Sequence, residues 1–232
     1  MSTIANFRVK YPRPKKLSDP FRDFSGDTLA KLLATPDDEL SNVQYRLLFG
    51  PHLPAGTYEE IVYFVPGAFR YLLEKADSYE FTYSLIGFVS QNAERLKEDG
   101  ILEIVRDCIR ECLAHWTEKF IIADPNTGLY YTAHIGDFID QLVKFRTHVD
   151  LAETFVRDLA YNETDPVKAA WFLEYARWQG SDFYPSPEET INQLIDDKER
   201  LENAAAIVRR HSEFIGTAPL FWRETFELLN VD

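Results

Sequence analysis

Apolar residues recur along this chain with a period near 3.6, which predicts helices almost throughout. "TYEEIVYFVPGAFRYLLEKA" places Ile61, Val65, Ala68 and Leu72 on one stripe, and Thr57 and Glu60 have capping-box spacing. "ILEIVRDCIRECLAHWTEKF" aligns Ile101, Val105, Cys108, Cys112 and Trp116 in the same way. "TPDDELSNVQYRLLFGP" predicts a helix capped by Thr35 with Pro36 first, and "SYEFTYSLIGFVSQNAERLKEDG" another ending at Gly100. "DPVKAAWFLEYARWQG" has Asp165 as N-cap, Pro166 at the first position and Gly180 at the end. "SPEETINQLIDDKERLENAAAIVRRHSEFIG" predicts the longest helix, opened by Ser186 and Glu189, with Ile191, Leu194, Leu201, Ala205, Val208 and Ile215 on its buried side.

The pattern departs from helix only around "FIIADPNTGLYYTA", where two β-favouring runs flank a strong turn and predict a short β-hairpin near 119–133. The expected fold is therefore all-α: about ten helices in antiparallel pairs, as an irregular HEAT-like stack or a globular helical bundle. No Gly/Ser-rich or Pro-rich linker follows residue 24. Residues 1–24 read as a basic N-terminal arm, extended or partly ordered, and 25–232 as a single helical domain.

Pro66 interrupts the helix that Thr57 and Glu60 open. It has no N–H for the Val62 carbonyl, and its ring crowds that carbonyl. A bend is expected there, wrapping the helix around an aromatic core or opening a groove near Tyr63.

Charge narrows the choice of partners. The chain carries a net −13, yet residues 1–24 hold six basic against two acidic residues, leaving −17 on the rest. Such a body repels nucleic-acid backbones and anionic membranes and attracts a basic protein. The arm's prolines suit an extended strap along an acidic body. Charges interrupt every window long enough to span a bilayer. The opening residues have no continuous apolar stretch of the secretory kind, so a cytoplasmic location is expected.

Candidate chemistry is sparse. "GPHLPAGT" begins like a phosphate loop, but a Walker A count from Gly50 puts Ala55 where the second glycine belongs and Gly56 where the lysine belongs. Cys108 and Cys112 lie on an apolar stripe, which favours core packing over a metal site or a Cys112–His115 nucleophile pair. His134, Asp137, Asp140 and His148 are near in sequence but match no known ligand spacing. "IDDKER" reads as a solvated helix face. No catalytic residue, metal or cofactor is expected.

Aromatics are the better prospect, because Trp171, Trp178, Phe221 and Trp222, among others, exceed what a small core needs. The expected partner-binding residues are Tyr63, Tyr130, Tyr131, Trp178, Tyr184, Asp196 and Asp197. The favoured function is a non-enzymatic protein–protein interaction protein, most concretely a bacterial immunity- or antitoxin-like inhibitor with an acidic, aromatic surface. A helical-repeat scaffold and a metal- or thiol-dependent enzyme are the alternatives.

Overall fold

The structure is a computed structural model. It describes residues 2–19, 25–50, 56–75, 79–120, 131–179, 188–211 and 219–231, with side chains described except at 75, 79–80, 131–134 and 219–220. Among the described residues the fold is all-α and contains no strand. The chain divides into two compact units, Met1–Cys112 and Leu113–Asp232.

The first unit contains α1 (Thr3–Asn6), α2 (Gly26–Ala34), α3 (Asn42–Phe49), α4 (Tyr58–Ile61), α5 (Val65–Lys75), α6 (Tyr79–Gln91), α7 (Ala93–Glu98) and the greater part of α8 (Leu102–Trp116). The predicted bend is present. α4 ends at Ile61, a 3-10 turn spans Val62–Phe64, and α5 restarts at Val65. The carbonyl of Val62, which Pro66 cannot serve, accepts instead from the Val65 N–H. Ile61, Val65, Ala68 and Leu72 are all buried on either side of the break. Glu60 receives the Thr57 N–H at 2.9 Å, as the capping box requires.

The basic segment 2–19 is tied down along the first unit's acids. The Thr3 and Ile4 N–H groups donate to Glu111 at 2.8 and 3.0 Å, closing the start of α1. Asp99 accepts from Lys10, from the Tyr11 hydroxyl at 2.7 Å and from the Tyr58 hydroxyl at 2.9 Å. Those hydrogen bonds, Lys10's first, pull the Asp99 carboxyl down to about 2. Ser18 N–H donates to Glu60 at 2.9 Å.

The second unit holds the end of α8 with α9 (Tyr131–Lys144), α10 (Val149–Ala160), α11 (Pro166–Gln179), α12 (Glu189–Ile195), α13 (Lys198–Arg210) and α14 (Pro219–Leu229). α11 is its axis and packs against α9, α10, α12, α13 and α14. Its sequence explains why. Every residue from Ala169 to Ala176 is buried, so the helix has no polar face to turn to water. Burying its large side chains contributes roughly 2–3 kcal/mol apiece. Asp165 caps it by accepting the Val167 N–H at 2.9 Å. α9 approaches closely because residue 136 is glycine: a Cβ there would lie 2.8 Å from the Trp178 ring.

Four expectations are corrected. The long helix from Pro187 is two, because Asp197 adopts an extended conformation and accepts the Arg200 N–H at 3.3 Å, capping a new helix. Thr35 does not cap the helix predicted from Pro36 to Gly50. Asp37–Glu39 form a 3-10 turn, and α3 starts after Ser41, whose backbone N–H donates to the Gln44 side chain at 2.9 Å. The helix after Ala76 breaks at Asn92, which has left helical geometry. Of the hairpin region, 131–133 belong to α9 and 121–130 lie outside the described residues.

Candidate functional site

Two surface features stand out, one in each unit. In the first unit the bend of α4–α5, the strap and the 3-10 turn enclose a groove of about 310 Å³. Its apolar wall includes Phe7, Leu40, Phe64 and Pro66, and its polar groups are Arg8, Asp37, Tyr45, Tyr63 and Arg70. Asp37 is committed internally: the Tyr63 hydroxyl donates to one oxygen, and Arg13 Nε lies 3.5 Å from the other. Burial, and then this hydrogen bond, raise the Tyr63 phenol above its usual value. Arg8 is held at the rim by donating Nη1 to the carbonyls of Ala5 at 3.0 Å and Phe7 at 2.7 Å.

In the second unit a smaller pocket of about 220 Å³ lies between the end of α10 and the start of α13, lined by Tyr161, Glu163, Asp197, Glu199, Arg200 and Asn203. Arg200 stacks 3.6 Å from the Tyr161 ring centre and pairs with Asp197 at 2.9 Å. Tyr161 is 57% exposed, one of three large apolar side chains so placed among the described residues. Glu163 and Glu199 are exposed at the same pocket, and Asp196 and Glu202 are exposed nearby in sequence, Glu202 paired with Lys198 at 3.5 Å.

The residues expected to bind a partner are not brought together. Tyr63 faces the first unit's groove. Asp196 and Asp197 sit at the α12–α13 junction, Asp196 exposed and Asp197 used as a cap. Trp178 is half-buried, with Nε1 donating to Asp140 at 3.4 Å. Tyr131 begins α9, its side chain undescribed, and Tyr130 and Tyr184 lie outside the described residues. Trp171 and Trp222 are not surplus surface aromatics: they are 2% and 1% exposed and form the core with Phe120.

The enzyme candidates separate in the same way. Cys108 and Cys112 are fully buried, with free thiols; burial pushes the first up to about 12 and the second well above its usual value. His115 is exposed beside Glu118 at 3.7 Å, so it is no base for a sealed Cys112 thiol. Asp137 and Asp140 do come together on α9, where burial raises both to about 6, and Asp140 accepts from Gln179 at 2.6 Å. His148 is fully buried, and the His134 side chain is outside the described set. Among the described residues no three His, Cys, Asp or Glu side chains are placed to share a metal ion. No helix among them is long and apolar enough to cross a membrane.

Sequence reasoning missed Arg8, Arg70, Tyr161 and Arg200. The arginines of the groove are 62 positions apart, and nothing local marks them. "IDDKER" did carry a signal for the pocket, since an Asp preceding Lys-Glu-Arg is an N-cap pattern. Comparison with family models, with curated proteins and with solved structures finds no match.

Proposed function

We propose that this chain is a non-enzymatic binding protein that recognises a basic protein through the acidic surface of its second unit. The observation that carries this reading is where the charge lies. Residues 113–232 hold 21 acidic against 11 basic residues, a net −10 of the chain's −13. Several of the first unit's acids hold the strap or form local ion pairs, whereas in the second unit Glu163, Asp196 and Glu199 are exposed near an exposed tyrosine and Glu202 pairs with the exposed Lys198 at 3.5 Å. A negative field around an aromatic anchor speeds encounter with a cationic partner and contributes contact area once docked.

Its most concrete form is an inhibitor that covers the basic active surface of a toxin. The two buried, reduced cysteines fit a cytoplasmic setting. The test uses the full chain immobilised against native lysate, with salt-gradient elution. A basic protein should be retained and released as salt rises, and it should be lost when Glu163→Gln, Asp196→Asn, Glu199→Gln and Glu202→Gln are combined. Retention indifferent to both changes would refute the reading. Protection of cells from the captured protein then tests the inhibitor form.

A further inference from the structure

The groove of the first unit has chemistry that protein recognition by the second unit does not use. Tyr45 is 2% exposed, yet it lines the groove, and its hydroxyl has no hydrogen-bond partner among the described residues. Arg70 lines the same groove and has no ion-pair or hydrogen-bond partner among the described residues. The two converge over Gly67. A Cβ at that position would lie 2.8 Å from Tyr45 Oη and 3.8 Å from Arg70 Nη2. Gly67 sits in an ordinary helix, so space and not backbone freedom explains the glycine: it lets the Tyr45 hydroxyl close onto α5 beside the Arg70 guanidinium.

The Tyr45 hydroxyl faces the groove with no acceptor among the described residues, so its O–H is free to donate to a ligand oxygen placed there. A guanidinium presents parallel N–H donors at the spacing of two carboxylate oxygens. Arg8 at the rim adds a second positive charge, while Asp37 is already occupied by Tyr63 and Arg13. The remaining walls, Phe7, Leu40, Phe64 and Pro66, are apolar. About 310 Å³ is the volume of a small-molecule site.

We propose that the groove beside Gly67 binds a small organic carboxylate, its two oxygens taken by Arg70 and the Tyr45 hydroxyl and its apolar body by the Phe64 and Pro66 wall. A carboxylate fits better than a phosphate ester. The nearby Asp37 and the chain's net −13 oppose a dianion more than a monoanion, and the cradle has donors for two oxygens.

The test titrates the full-length chain, labelled with ¹⁵N, with acetate, hexanoate and phenylacetate, and with phenylacetamide and phenyl phosphate as controls. Saturable binding of hexanoate or phenylacetate is expected, with resonance shifts concentrated at Gly67 and at the Arg70 side chain. Phenylacetamide should bind at least tenfold more weakly. Arg70→Gln and Tyr45→Phe should each weaken phenylacetate binding by tenfold or more. Neither removes a group that holds the fold together, so a folded spectrum is expected from both. Gly67→Ala should weaken binding tenfold or more, because its methyl would displace the Tyr45 hydroxyl. The proposal is overturned if no carboxylate in the series saturates, if phenylacetamide matches phenylacetate, if Arg70→Gln changes nothing, or if phenyl phosphate binds tenfold tighter than phenylacetate.

Discussion

The two units solve opposite problems with similar material. The first has 17 acidic and 14 basic residues and uses several of its carboxylates to hold chain: Glu111 closes α1, Asp99 holds the strap, and Glu60 holds Thr57 and Ser18. The second is organised around α11, a helix with no polar face, and carries 21 acidic against 11 basic residues, so its surface acids have far fewer basic neighbours to offset them. The lesson is that acidity counted along a sequence says little until each carboxylate is assigned a partner. Asp99 and Asp140 make the contrast sharpest. Donors around the first pull its pKa down to about 2, while burial pushes the second up to about 6.

The largest expected effect comes from the axis of the second unit. Trp171→Ala removes a side chain that is 2% exposed and whose indole N–H donates to the Lys119 carbonyl at 3.2 Å. A loss of about 4 kcal/mol is expected. All four tryptophans lie after residue 112, so tryptophan-detected urea unfolding reads the second unit selectively. A midpoint within error of the parent would show that α11 is not the axis.

Next is the strap. Asp99→Ala leaves the buried Tyr58 hydroxyl and the Tyr11 hydroxyl without their shared acceptor and should cost about 2 kcal/mol. Amides of residues 2–19 should exchange faster with solvent. The pH dependence has a definite sign. A depressed carboxylate contributes stability in full above its unfolded value near 4, and that contribution fades as pH falls through about 2. Strap protection should therefore be flat from pH 7 to 5 and drop steeply only below about 4.

Smaller effects distinguish the second unit's own acids. Asp197→Ala removes the cap of α13 and the partner of Arg200, for a loss of about 1 kcal/mol. Asp140→Asn should act in the opposite direction. Because its folded pKa is raised to about 6, the folded unit holds more protons than the unfolded chain between about pH 4 and 6. Stability contributed there falls as pH rises through that window. The neutral amide should raise the urea midpoint at pH 7 by less than about 1 kcal/mol, since Asp140 is half-buried and partly solvated. It should also flatten the slope between pH 4 and 7. A lower midpoint at pH 7 with an unchanged slope would show that the carboxylate is not under that strain.

Much of the fold is legible from local signals. The Thr57–Glu60 box, the Asp165–Pro166 helix start, the stripe through Cys108 and Cys112 and the break near Pro66 each depend on residues within a turn or two. What escapes is decided by competition between neighbouring signals or by distance. Asp197 and Ser41 each outcompete continuation of a helix whose apolar period runs on without interruption. Trp171 and Trp222 read as surplus aromatics because a sequence does not reveal that five helices converge on α11. Tyr63 and the bend mark one wall of the groove, but Arg8, Tyr45 and Arg70 meet there only through tertiary packing, and Pro66-Gly67 signals a bend without signalling that the glycine makes room for the Tyr45 hydroxyl.

The central claim is that the second unit's outward carboxylates select the partner and the first unit's do not. Its most direct test is the association rate of the captured basic protein, measured between 50 and 500 mM salt for three chains: the parent, the second-unit variant combining Glu163→Gln, Asp196→Asn, Glu199→Gln and Glu202→Gln, and a first-unit control combining Glu103→Gln and Asp107→Asn. The parent and the control should lose rate steeply and alike as salt rises, while the second-unit variant should start at least tenfold slower and respond weakly to salt. Equal slowing in the variant and the control, or no salt dependence in the parent, would contradict it.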